Sequence, residues 1–72
     1  MPLTLAEFNV PYTIHKICGN EKQRHHIEAL GFVEGTTIQV LSKFSEYYIV
    51  LVKGSKIGMD KDVAKRIIIV SE

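Results

Sequence analysis

The chain has 72 residues, 46% of them hydrophobic, with 9 Lys and Arg against 8 Asp and Glu and one cysteine. That length makes a single domain over residues 1–72 with a modest core, and the apolar fraction is too high for a disordered chain. A net charge of +1 supplies no clustered basic face for nucleic acid, and Cys18 alone cannot form an internal disulfide, which fits a reducing compartment.

In chain order, Leu3 to Phe8 reads as a short helical or turn segment, with Thr4 as N-cap and Glu7 as its capping-box partner. The opening residues lack the basic and apolar regions of a signal peptide. Pro11 ends the turn, and Tyr12 to Cys18 reads as a strand. Ile14 and Ile17 have opposite parity along it, so burying both requires a bulge or bend. Asn20 and Gln23 form a second capping box that opens a helix reaching Leu30, with Ile27 and Leu30 on one face. Gly31 follows as a left-handed helix stop and Gly35 as a second turn.

Thr36 to Ser42 reads as a strand with Ile38 and Val40 on one face, Lys43 to Glu46 as a turn, and Tyr47 to Lys53 as the next strand. Gly54-Ser55 suits a two-residue II′ hairpin turn, and Lys56 to Met59 returns. Asp60 caps a single helical turn through Ala64, and Ile67 to Val70 closes the fold as a strand of β-branched residues. Five short strands with one real helix in so few residues predict a mainly-β, partly open barrel. Closure also removes the exposed edges of a small sheet. The longest aliphatic-aromatic run, Tyr47 to Val52, is far short of the roughly twenty residues that cross a bilayer. A soluble, cytoplasmic chain with no direct membrane insertion is expected.

In order and spacing these pieces resemble the FeoA family, small accessory proteins of bacterial ferrous iron transport. The resemblance is carried by Leu3-Thr4-Leu5, the Tyr12-to-Ile17 strand, Ala29-Leu30-Gly31-Phe32, Val33-Glu34-Gly35 and Thr37-Ile38-Gln39-Val40. It extends through the hairpin Val50 to Ile57 and the ending Val63 to Val70. Departures are Glu34 where the family often has proline, Phe44-Ser45-Glu46-Tyr47 in the loop before the third strand, and His25-His26 where arginines are common. The resemblance implies an SH3-like barrel carrying an inserted helix. It also implies a non-enzymatic module without a cofactor, whose partner is FeoB, the membrane ferrous transporter with a cytoplasmic GTP-binding domain. The same barrel occurs in metal-dependent repressors, so fold alone does not fix function.

Cys18, His15, His25 and His26 are the metal-ligating types present. Adjacent histidines on a helix point about 100° apart, and no C-x-x-C or H-x-x-x-H spacing occurs, so no metal site is expected. Gly54-Ser55-Lys56 is no phosphate loop, because no Gly-x-x-x-x-Gly-Lys precedes a helix. Partner binding is the remaining route. The candidate contacts are the helix face with Lys22, Arg24 and His25, and the loop aromatics Phe44, Tyr47 and Tyr48, of which adjacent Tyr47 and Tyr48 must point to opposite faces. The alternatives are a small nucleic-acid-binding barrel, against which the near-neutral charge counts, and a transition-metal-binding regulatory module. Strand edges on a small barrel can pair between copies, and the sequence leaves homo-oligomerisation open.

Overall fold

In the computed structural model, which describes residues 1–72, five strands wrap one core. They are β1 (Pro11–Ile17), β2 (Thr37–Phe44), β3 (Tyr47–Val52), β4 (Ser55–Asp60) and β5 (Ile67–Ser71). Helix α1 (Glu21–Ala29) is inserted between β1 and β2, and the single-turn α2 (Lys61–Ala64) links β4 to β5. All neighbours are antiparallel, in the order β4-β3-β2-β1-β5. The terminal strands of that order do not pair with each other, which makes the barrel partly open, as expected from the sequence.

Strand alternation builds the interior. Ile38 and Val40 of β2, Tyr48, Val50 and Val52 of β3, and Ile67 and Ile69 of β5 all turn inward. In β1 both Ile14 and Ile17 are buried, and the register against β5 shifts between Ile14 and Lys16. This is the bulge that their opposite parity requires. A second shift, between Val40 and Ser42, lets β2 bend around the core. The core holds no charged residue, and Phe32 is the largest of its fully buried side chains. Burying such a side chain contributes about 1.5–3 kcal/mol.

The capping box at α1 forms as expected: Asn20 Oδ1 accepts from the Gln23 N–H at 2.8 Å, and Gln23 Oε1 accepts from the Asn20 N–H at 2.9 Å. That cap fixes the phase of the helix so that Ile27 enters the core. Gly31 (φ 106°) and Gly35 (φ 88°) take the left-handed conformations expected of them, and the Gly35 N–H donates to the Ile14 carbonyl at 2.8 Å. That bond pins the exit of the helix to β1.

Three local expectations are corrected. Leu30 is the C-cap of α1 and is exposed rather than packed beside Ile27. Thr4 caps nothing: Leu3–Leu5 is a 3₁₀ turn whose N-cap is Pro2, without a side-chain hydrogen bond. The β3–β4 turn is Lys53-Gly54 rather than Gly54-Ser55. Both residues have positive φ (51° and 78°), and Val52 pairs with Ser55, which makes it a I′ turn.

Candidate functional site

The two helices flank a cleft of about 280 Å³ lined by Lys22, Gln23, His26 and Ile27 from α1 and by Asp62, Val63 and Arg66 around α2. Each helix is set by its own cap. The Asn20 box starts α1 about two turns before Ile27 enters the core, which leaves Lys22 and His26, four apart, on one flank. Asp60 Oδ1 accepts from the Val63 N–H at 3.0 Å and starts α2. Ala64 then packs into the core, and Asp62 and Val63 face the cleft.

Charge in the cleft is mostly positive. The Arg66 side chain is only 23% exposed, and its Nη2 lies 3.6 Å from Asp62 Oδ2. Asp62 Oδ1 is engaged by Lys65 Nζ at 3.1 Å. The hydrogen bond from Lys65, then the charges of Arg66 and Lys65, hold the Asp62 carboxyl below its ordinary pKa. Lys22 and His26 make no side-chain hydrogen bond or ion pair. An ammonium, an imidazole and a guanidinium over an Ile27 and Val63 floor suit a segment that presents an acidic group beside an apolar one.

The second candidate surface is the tip of the β2–β3 hairpin. Phe44 and Tyr47 are cross-strand partners there, 65% and 48% exposed. Phe44 therefore does not fold under the loop. The Tyr47 ring lies over Gly58, where an added Cβ would stand 2.6 Å from its nearest atoms. Glu46, in the turn between the two aromatics, meets Lys61 of α2 at 3.6 Å. The aromatic tip thus reaches α2, whose Asp62 and Val63 line the cleft.

The candidates named from the sequence divide as follows. Lys22 lines the cleft. Arg24 and His25 are exposed on α1 but do not line it. Phe44 and Tyr47 form the exposed aromatic pair. Tyr48 is corrected: it is buried in the core, opposite Met59, with the Lys43 ammonium 5.5 Å from its ring centroid, so it cannot be a surface contact. As partner contacts, sequence reasoning did not single out His26, Asp62 or Arg66. The i, i+4 spacing of Lys22 and His26 was the one available signal, and nothing local ties Arg66 to that helix. His15, His25 and His26 are exposed and Cys18 is half-buried. No group of three or more His, Cys, Asp or Glu side chains gathers in a way that could hold a metal ion. No helix is long and apolar enough to cross a membrane.

Comparison with known proteins follows the same lines. The FeoA domain family matches residues 1–71. A crystal structure of an iron uptake regulatory protein, FeoA, is 26% identical with a TM-score of 0.87, covering 96% of this chain and 93% of that one. The FeoA of Stenotrophomonas maltophilia, a zinc-complexed SH3 domain protein described as possibly a ferrous iron transport activating factor, is 20% identical with a TM-score of 0.83, over 97% and 89% of the two chains. A manganese-dependent transcriptional repressor in complex with manganese is 16% identical with a TM-score of 0.89, over 99% of this chain and 36% of the repressor. These last two likenesses establish the SH3-like fold. No curated protein matches the chain by sequence. The chain belongs to the FeoA family, which is associated with ferrous iron transport.

Proposed function

We propose that this chain is a cytoplasmic, non-enzymatic accessory protein that binds the cytoplasmic GTP-binding part of a FeoB-type ferrous transporter and modulates its cycle. The observation that carries this reading is family membership across residues 1–71. It is supported by a cationic cleft lined in part by α2 and by an exposed aromatic pair whose hairpin tip reaches α2. The cleft and Phe44–Tyr47 are the central contacts, with Arg24 and His25 at the rim on α1. Such a module acts by preferring one state of its partner, since a ligand shifts an equilibrium only by its differential affinity. Aromatic side chains are common anchors at such interfaces, and rim charges tune association rate and partner choice.

The test is recovery of the transporter from detergent-solubilised membranes on the immobilised chain, with and without a non-hydrolysable GTP analogue. Lys22→Glu combined with Phe44→Ala is expected to lower affinity at least about tenfold, near 1.4 kcal/mol, while the fold is retained. Full recovery by that variant moves the interface elsewhere on the barrel. Failure of the parent chain to recover the transporter, with both folded and present, removes the reading.

A further inference from the structure

The two edges of the sheet are treated differently. The outer edge of β5 is covered by the start of the chain: the Met1 amine donates to the Ile69 carbonyl at 2.8 Å, the Ile69 N–H donates to the Met1 carbonyl at 2.7 Å, and Pro2 bridges to Ile68. The outer edge of β4 has no such cover.

The register fixes which groups β4 leaves open. A I′ turn closes with the Ser55 N–H donating to the Val52 carbonyl, so alternation directs Ser55, Ile57 and Met59 toward β3. The N–H groups of Lys56, Gly58 and Asp60 and the C=O groups of Lys56 and Gly58 therefore point away from the sheet. All three residues are exposed, and none of their N–H groups appears among the remaining backbone bonds. Lys56, Gly58 and Asp60 also share the outer face with their partners Leu51, Ile49 and Tyr47.

We infer that this edge is a self-pairing surface, on which a second copy of the chain adds its own β4 antiparallel about a two-fold axis at Gly58. In that register Gly58 faces the second copy's Gly58, and each Lys56 faces the second copy's Asp60. The glycines exchange both of their backbone bonds, and each Asp60 N–H donates to the opposite Lys56 carbonyl. The Asp60 carbonyl is left out because an N-cap turns its carbonyl into the helix. The residues with outward backbone groups are thus the same residues whose charges complement one another.

An edge lysine is a common guard against pairing. Here the guard is cancelled, because a carboxylate lies two alternations along the same face and the two-fold axis brings opposite charges together. Gly58 removes the side chain at the axis, where two copies approach most closely. The Tyr47 rings, each lying over its own Gly58, would flank the axis and cover the paired glycines. A foreign strand would have no reason to match both charges and the glycine, which is why a second copy is the occupant. The two sheets become one continuous sheet, an isologous contact that closes on itself.

Sedimentation velocity over a wide concentration range, together with amide exchange by NMR, tests this pairing. A dimer is expected to grow with concentration, and exchange of the Gly58 and Asp60 amides to slow about tenfold from dilute to concentrated solution, with Gly54 in the turn unchanged. Lys56→Glu and Asp60→Lys are each expected to remain monomeric, and their equimolar mixture to regain the dimer, because the mixed pair restores both charge matches. A single-chain mass at every concentration overturns the proposal. So does a dimer in which the Gly58 and Asp60 amides exchange as in dilute solution, since the contact then lies elsewhere. The wild-type exchange result stands even if Asp60→Lys disturbs α2.

Discussion

Tyr47 and Gly58 sit diagonally across β3 and β4, Tyr47 beside Asp60 and Gly58 beside Ile49. The missing Cβ of Gly58 gives the Tyr47 ring its seat, so Tyr47 is half-covered although it points to solvent. Tyr47→Ala is expected to cost about 0.5–1 kcal/mol, and much less in a Gly58→Ala background, where the ring is already displaced. A double-mutant cycle in urea reads that coupling, and simple additivity would show that the ring gains nothing from its seat. At Asp62 the hydrogen bond from Lys65 and the charges of Arg66 and Lys65 hold the folded carboxyl below the ordinary carboxylate range. Its contribution is therefore complete above the ordinary carboxylate range and is lost as pH falls through the lowered value. Asp62→Asn should lower the thermal midpoint slightly at neutral pH and not in strong acid, the effect being small because the group is exposed. A constant difference at every pH would assign the loss to something other than this charge. Parity alone shows that Tyr47 and Tyr48 face opposite ways. Which of them is inside is decided by the pairing of Tyr48 with Met59, a contact between strands.

Short elements carry strong local signals where a cap or a bulge has a single physical solution. The Asn20–Gln23 box, the Asp60 cap and the β1 bulge were all legible, because each satisfies a demand of the backbone or of burial within a few residues. The β3–β4 turn was misplaced by one residue. Gly54 can serve as first or second central residue, and the choice follows from register: sliding β4 by one position would send Met59 outward. As built, Lys53 holds φ 51° in a I′ turn, a conformation that costs most L-residues about 1–2 kcal/mol and that Asn tolerates. Lys53→Asn is expected to stabilise the chain by about 0.5–1 kcal/mol, raising the urea midpoint with an unchanged slope. A lower midpoint would mean that Lys53 contributes more in this turn than its strain costs.

For the molecule as a whole, 72 residues imply a total stability of about 4–10 kcal/mol at 0.05–0.15 kcal/mol per residue. Phe32 is fully buried in the one core, and Phe32→Ala is expected to remove about 3–5 kcal/mol of that. Its urea transition should move to very low denaturant or lose cooperativity, and an undiminished midpoint would show that the barrel can collapse around the gap. The sequence by itself determined the number and order of the strands, the helix and its cap, the bulge in β1 and the apolar interior. These follow from side-chain periodicity and from backbone groups satisfied by near neighbours. Only the tertiary structure decided that Arg66 joins Lys22 and His26 in one cleft, that Glu46 of the aromatic tip meets Lys61 of α2, and that one sheet edge is covered while β4 stays open. Those outcomes depend on how the sheet curls and where α1 and the first residues come to rest on it. They are contacts between segments far apart in the chain, which no local pattern encodes.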